Sequence, residues 1–203
     1  MERIDGRLVF SPSDLNDFLE CEHLSALELA FARGRLERPD IESGQALLVR
    51  RKGEEHEFAH LAALEADGLG VARIGLDGGW DAAARATEQA MRTGVDVVYQ
   101  AVFVDPSGWR GIADFLERQP DGFYEVADTK LARTAKPYFL LQLAFYSEQV
   151  GRMQERLPER MHVVLGTRER VSYRVRFRRL LPARARAISR VARWPAKRPR
   201  RRR

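Results

Sequence analysis

Two aspartates and a lysine near the middle of the chain carry the strongest chemical signal. Asp114 lies in Gly111-Ile112-Ala113-Asp114-Phe115-Leu116, and Asp128 and Lys130 lie in Tyr124-Glu125-Val126-Ala127-Asp128-Thr129-Lys130. Both segments read as β-strands. Between them, Pro120-Asp121-Gly122 suits a three-residue hairpin loop, a type I turn followed by a left-handed glycine. That loop pairs Gln119 with Phe123, and the same register sets Asp114 directly opposite Asp128. Side chains alternate with period two, so Asp128 and Lys130 share a face with Tyr124 and Val126, while Glu125 points the other way. Two facing carboxylates repel unless something positive lies between them, and one ammonium reaches both poorly. A hard divalent cation is the natural partner. A four-residue loop would place the aspartates on opposite faces. An exposed hairpin with a charged ladder is the alternative reading of the same residues.

The elements that must position this hairpin follow from spacing and punctuation. Ser11-Pro12-Ser13-Asp14 reads as a helix start, with Ser11 as cap, Pro12 in the first turn and Asp14 closing a capping box. Leu15, Phe18, Leu19, Ala26, Leu27 and Ala30 keep helical spacing up to a stop at Gly34. A second helix is expected from Ser43 to Asp67, with Leu47, Leu48, Phe58, Leu61, Ala62 and Leu64 as its apolar members. Glycines 68, 70, 75, 78 and 79 break up an irregular stretch, and a short helix over Asp81–Thr93 ends at Gly94. Strands are expected over Val97–Val104, Trp109–Arg118 and Phe123–Leu131. A helix then opens at Pro137 and runs to Arg152. Met161–Leu165 reads as a short buried strand, and Tyr173–Phe177 alternates like an edge strand.

Composition bounds the function classes. The chain has 203 residues, 44% hydrophobic and 32% charged, which suits one globular α/β domain and not a disordered segment. No stretch approaches the roughly 18 apolar residues of a membrane span, and the N-terminus lacks a signal core. A single cysteine, Cys21, excludes an internal disulfide and a four-cysteine metal site, so a reducing, cytoplasmic setting is expected. The net charge of +6 hides a division. Residues 168–203 hold 16 of the 35 Lys and Arg and one acid, Glu169, so residues 1–167 hold the other 19 basic and 28 acidic residues. The Arg-rich segment 178–203 reads equally as a solvated tail, as a phosphate-binding arm, or as the product of a lost reading frame.

The order of motifs resembles the PD-(D/E)XK nuclease superfamily. Asp114, then Asp128-Thr129-Lys130, then Gln142-Leu143-Ala144-Phe145-Tyr146 is similar to the RecB-type branch, whose motifs are a helical His, an Asp, a (D/E)-x-K and a Q-x-x-x-Y. His56 in Gly53-Glu54-Glu55-His56-Glu57 stands for the helical His, one residue closer to its glycine than the branch pattern has it. The run from Phe10 to Cys21 resembles the S-x-S-x-L-x-x-[FY]-x-x-C opening of the branch. The similarity covers residues 8–175 and is narrowest with a group of bacterial RecB-like nucleases.

The resemblance implies a restriction-endonuclease-like fold with a mixed central sheet, flanking helices and an N-terminal helical segment, spanning residues 1–177. It implies hydrolysis of DNA phosphodiesters, in recombination, repair or defence. Asp114, Asp128, His56 and the Thr129 carbonyl would ligate Mg²⁺ or Mn²⁺. The ion would lower the pKa of a bound water and offset charge on the scissile phosphate. Lys130 would orient that water or stabilise the transition state. Gln142 and Tyr146, one helical turn apart, would face the site together. Arg133 and Lys136 would contact the nucleic acid. In some relatives the first cysteine begins an iron–sulfur site that three later cysteines complete. Cys21 has no such followers, so no cluster is expected and Cys21 is read as a small core residue. Partners would be DNA and a helicase or further nuclease domain, with no membrane.

Two other readings share these residues. His56-Glu57-Phe58-Ala59-His60 matches H-E-x-x-H, in which both histidines bind zinc and Glu57 acts as the base of a metalloprotease. That reading supplies no third ligand and leaves Asp114, Asp128, Lys130 and Gln142 unexplained. The other is a truncated, non-catalytic module that only binds DNA or a partner.

Overall fold

The computed structural model describes residues 1–39 and 43–175. Its centre is a six-stranded mixed sheet flanked by helices. In chain order the elements are a hairpin of β1 (Glu2–Ile4) and β2 (Arg7–Val9), α1 (Pro12–Glu20), α2 (Glu22–Ala32), α3 (Gly44–Ala66), β3 (Val71–Arg73), α4 (Trp80–Thr93), β4 (Val97–Asp105), β5 (Trp109–Arg118), β6 (Tyr124–Lys130), α5 (Pro137–Met153), β7 (Arg160–Leu165) and β8 (Arg170–Arg174). The sheet runs in the order β3-β4-β5-β6-β7-β8. The β3–β4 and β6–β7 pairs are parallel, joined through α4 and α5, and the others are antiparallel.

Two apolar clusters sit on this sheet. The larger gathers Val98, Phe103, Leu116, Val126 and Val163 under Leu143, Phe145 and Val150 of α5, with Leu15, Leu29 and Met91 from α1, α2 and α4. The smaller holds Leu61 of α3 against Val97, Tyr99, Phe115 and Ala127. Among the described residues, no helix is long and apolar enough to cross a membrane.

The helix start at Ser11 forms as the capping residues dictate. Asp14 Oδ2 accepts from the Ser11 N–H at 2.7 Å and from Ser11 Oγ at 2.9 Å. The expected single helix to Gly34 is instead two. Cys21 takes an extended conformation (φ −156°, ψ 108°) and caps one helix while starting the next. The break lets both short helices lay Leu15 and Leu29 onto one core, and it turns the Cys21 side chain out to solvent, so Cys21 is exposed rather than in the core.

The irregular glycine stretch contains a strand, β3, that local composition did not reveal. The β1–β2 hairpin was also missed, although Asp5-Gly6 is a type I′ signal, and both residues have positive φ (49° and 78°). Phe10, just beyond it, stacks on Trp109 with ring centroids 5.4 Å apart.

Helix α3 has the expected bounds, but its expected apolar face is not the buried one. Leu47, Leu48 and Phe58 are 42%, 49% and 54% exposed, and only Leu61 is buried. The strip turned to the sheet is His56, Glu57, His60, Leu61 and Leu64, because the sheet beneath presents a small apolar patch (Val97, Tyr99, Phe115 and Ala127) beside polar and charged groups such as Gln100 and Glu117. The edge strand lies three residues earlier than Tyr173–Phe177, as Arg170–Arg174, because a tight turn through Arg168 (φ 67°) sends the chain straight back along β7. Residues 176 and 177, and the Arg-rich segment 178–203, lie outside the described residues.

A polar line crosses the α3 side of β5 to β8. His162, 5% exposed, contacts Glu125 Oε2 through Nε2 and Ser172 Oγ through Nδ1, both at 2.8 Å. Beside it, burial pushes the Glu117 carboxyl up, but His60 at 3.7 Å and the Arg170 guanidinium at 2.8 Å outweigh burial and hold it at about 2. A carboxyl held low stabilises the fold above its ordinary range, and that contribution is lost as pH falls through the folded value. Arg170→Met leaves the buried carboxylate without its firmest partner. It is expected to lose about 2 kcal/mol at pH 7 and to show a flatter loss of stability between pH 4.5 and 2 than the parent protein. Chemical denaturation across that pH range measures both.

Candidate active site

The β5–β6 hairpin has the register that the turn residues imply. Gly122 is left-handed (φ 86°), the Gln119 N–H bonds the Phe123 carbonyl at 2.7 Å, and the ladder runs Arg118–Tyr124 to Phe115–Ala127. Asp114 and Asp128 come one step beyond its last pair. Asp114 Oδ2 accepts from the Thr129 N–H at 2.9 Å and from Thr129 Oγ1 at 3.0 Å, so Thr129 anchors one carboxylate through both backbone and side chain.

Asp128 is 1% exposed. Lys130 Nζ lies 2.5 Å from its Oδ2 as an ion pair, yet neither carboxylate oxygen has a hydrogen-bond donor of ordinary geometry. Burial raises the Asp128 carboxyl well above its usual range, the Asp114 charge adds to this, and Lys130 opposes it. Burial works against the Lys130 charge, but Asp128 and Asp114 outweigh it and raise the ammonium. The ammonium also lies over the Phe139 ring at 5.6 Å. This is a buried acid and a half-buried one sharing one cation, a costly arrangement in a fold and a common one in catalytic sites.

Helix α3 adds a third carboxylate. Glu57 Oε1 accepts from Tyr99 Oη at 2.8 Å and from Gln100 Nε2. Burial raises its carboxyl, and the Asp114 charge raises it further, while Tyr99, Gln100 and Lys130 lower it. Sequence reasoning assigned Glu57 only to the zinc motif. One signal could have placed it here: Leu61, four residues on, is on the same helical face and is the residue of α3 that is fully buried.

His56 Nε2 lies 3.2 Å from the Val164 carbonyl, and Val164 pairs with Thr129 across β6 and β7. His60 packs edge-on against Phe115 at 4.9 Å. The two histidines of the H-E-x-x-H pattern thus have separate partners on the sheet. Among the described residues, no three His, Cys, Asp or Glu side chains stand grouped as a ready metal cage.

Helix α5 brings the remaining residues. Tyr146 is 3% exposed, and its phenol is raised by burial and then by the Asp128 charge, while Gln142 and the Ile112 backbone lower it. Tyr146 therefore lies within charge reach of the aspartates, with Gln142 beside its hydroxyl. Gly111 permits this approach, since a Cβ there would lie 2.8 Å from both Cε1 and Oη of Tyr146. Gly111→Ala is expected to displace Tyr146, to cost about 1–3 kcal/mol and to lower any activity of the site by about tenfold. Denaturant melts and turnover on one preparation check both. Arg133 and Lys136 are exposed on the loop between β6 and α5, and the Lys136 ammonium lies 5.8 Å from the Tyr138 ring centre.

No protein-family model matches the chain, and no curated protein matches it.

Proposed function

We propose that the chain is a metal-dependent DNA nuclease of the RecB-type branch of the PD-(D/E)XK superfamily, with a restriction-endonuclease-like arrangement of its sheet. One observation carries the reading: Asp114, Asp128 and Lys130 meet at one end of the hairpin, with Asp128 buried and a single ammonium, Lys130 Nζ, 2.5 Å from its Oδ2. Two carboxylates that share one ammonium offer hard oxygen ligands that fit Mg²⁺ or Mn²⁺. Asp114 and Asp128 would hold the ion, with the Thr129 carbonyl, and with His56 once its ring leaves the Val164 carbonyl. A bound cation there supplies a more acidic water and charge compensation at the phosphate.

The chain's own groups do the rest. Lys130, held charged by the aspartates, orients the attacking water and faces the developing negative charge. Thr129 fixes the Asp114 carboxylate. Gln142 and Tyr146 position the strand, and Arg133 and Lys136 meet its phosphates. The biological setting under this reading is recombination, repair or defence, alongside a helicase or further nuclease domain. The separate partners of His56 and His60, and the turn of Glu57 toward Asp114, do not favour the zinc protease.

The test is incubation of the purified protein with end-labelled linear single- and double-stranded DNA, with Mg²⁺, Mn²⁺ or EDTA, beside Asp128→Ala. Degradation that requires the metal and disappears in the variant supports the reading. A folded protein that leaves both DNAs intact with either metal overturns it in favour of a non-catalytic binding module.

A further inference from the structure

Strand β4 contains an irregularity that the pairing of the sheet isolates. Tyr99 pairs with Phe115 and Ala101 with Ala113, in one unbroken register, yet Gln100 and Asp114 between them form no pair. Gln100 has φ 57°, a left-handed backbone that side chains other than glycine and asparagine rarely adopt, in the middle of a central strand. Alternation reverses across it. Val97 and Tyr99 join the cluster under α3, whereas Ala101 and Phe103 join the one under α5. Simple alternation would put residues 99, 101 and 103 on one face. The reversal on β5 brackets Asp114 in the same way, with Phe115 in the first cluster and Ala113 in the second. The strained residue thus lies directly across from the carboxylate on which the site depends. Strain of this kind persists where surrounding structure enforces it, and it concentrates at working sites.

The side chain of Gln100 has a second role. Its amide and the Tyr99 hydroxyl converge on one oxygen of Glu57, Oε1. Among the described residues these two donors leave Oε2 as the oxygen open to a further ligand. Glu57 lies within charge reach of both Asp114 and Lys130. The same short segment therefore leaves Asp114 out of the ladder and holds an acid of α3 next to that position.

We propose that Gln100 is a positioning residue of this site: its left-handed backbone opens the β4–β5 ladder at Asp114, and its amide, together with the Tyr99 hydroxyl, fixes the Glu57 carboxylate toward Asp114. The inference rests on the nuclease reading for its activity measurement and on metal binding alone for its second. Gln100→Gly keeps a residue that accepts the left-handed backbone and removes the amide. The expected result is a kcat about tenfold lower and a half-saturating Mn²⁺ concentration about tenfold higher, with the KM for DNA within twofold. The melting temperature stays within a few degrees of the parent. Gln100→Leu removes the amide and also opposes the left-handed backbone, so it loses activity and melting temperature together.

Mn²⁺ binding followed by electron paramagnetic resonance runs in parallel on the parent and on Gln100→Gly. Where the parent cleaves DNA but Gln100→Gly matches it in kcat and Mn²⁺ dependence, the positioning role is overturned and the nuclease reading stands. Where the parent does not cleave DNA but binds Mn²⁺ more tightly than the variant, the nuclease reading fails and the positioning role stands. Equal Mn²⁺ binding by parent and variant, or none by the parent, overturns the positioning role.

Discussion

Asp128→Asn is expected to abolish metal-dependent cleavage, by about a thousandfold or more, while raising the stability of the metal-free protein. The two effects have one cause. Asp128 is buried, faces Asp114, and has neither carboxylate oxygen in an ordinary hydrogen bond. The amide keeps the shape and removes the repelling charge. Lys130 retains Asp114 and Glu57 as neighbouring negative charges. Relief of Asp128 desolvation and of its like-charge contact with Asp114 outweighs the lost contact with Lys130 by about 1–2 kcal/mol, the size of a shift of about one pKa unit. In a fold of this length that raises the melting temperature by roughly 2–8 °C. Thermal melts in EDTA and cleavage assays in Mn²⁺ on the same preparation test both halves. An Asp128→Asn protein that melts lower than the parent in EDTA would show that the carboxylate pair is not under strain.

Lys130→Met is expected to remove activity as well, by about a hundredfold to a thousandfold, but with the opposite effect on stability. Its ammonium contacts Asp128 Oδ2 and is raised by both aspartates. Methionine fills much of the same space over Phe139 and takes from Asp114, Asp128 and Glu57 the one cation that acts on them among the described residues. Removing one partner from a buried ion pair costs about 3–5 kcal/mol, because the remaining charge stays buried. Mn²⁺ should then restore more melting temperature to Lys130→Met than it adds to the parent protein, since the ion replaces the missing positive charge. Two inactive variants whose metal-free melting temperatures move in opposite directions are the signature of a carboxylate pair built to hold a cation. Movement in the same direction would indicate that both residues serve packing.

The hairpin was legible because its information is local. Pro120-Asp121-Gly122 fixes a loop of three residues, and the loop length fixes every later pairing, so the approach of Asp114 and Asp128 follows from turn chemistry. The capping box at Ser11, the span of α3 and the helix that opens at Pro137 were legible for the same reason. The break at Cys21 was not, since helical spacing continues through it and only the packing of Leu15 and Leu29 onto one core requires a joint. Strand β3 is three residues long and gains its identity from pairing with β4, which lies more than twenty residues on.

The candidate site divides along the same line. By itself the sequence determined which residues could do chemistry, the order in which they occur, and the pairing that brings two carboxylates and a lysine to one end of a hairpin. Only the tertiary structure decided which face of α3 meets the sheet, and therefore that Glu57 bonds Tyr99 and Gln100 within charge reach of Asp114 while Leu47, Leu48 and Phe58 stay exposed. It also decided that β4 reverses its faces at Gln100. The physical reason is range. A turn or a cap is chosen by a few neighbouring residues, whereas the face of a helix and the strain in a strand are set by charged groups and core side chains that come together only when the sheet forms.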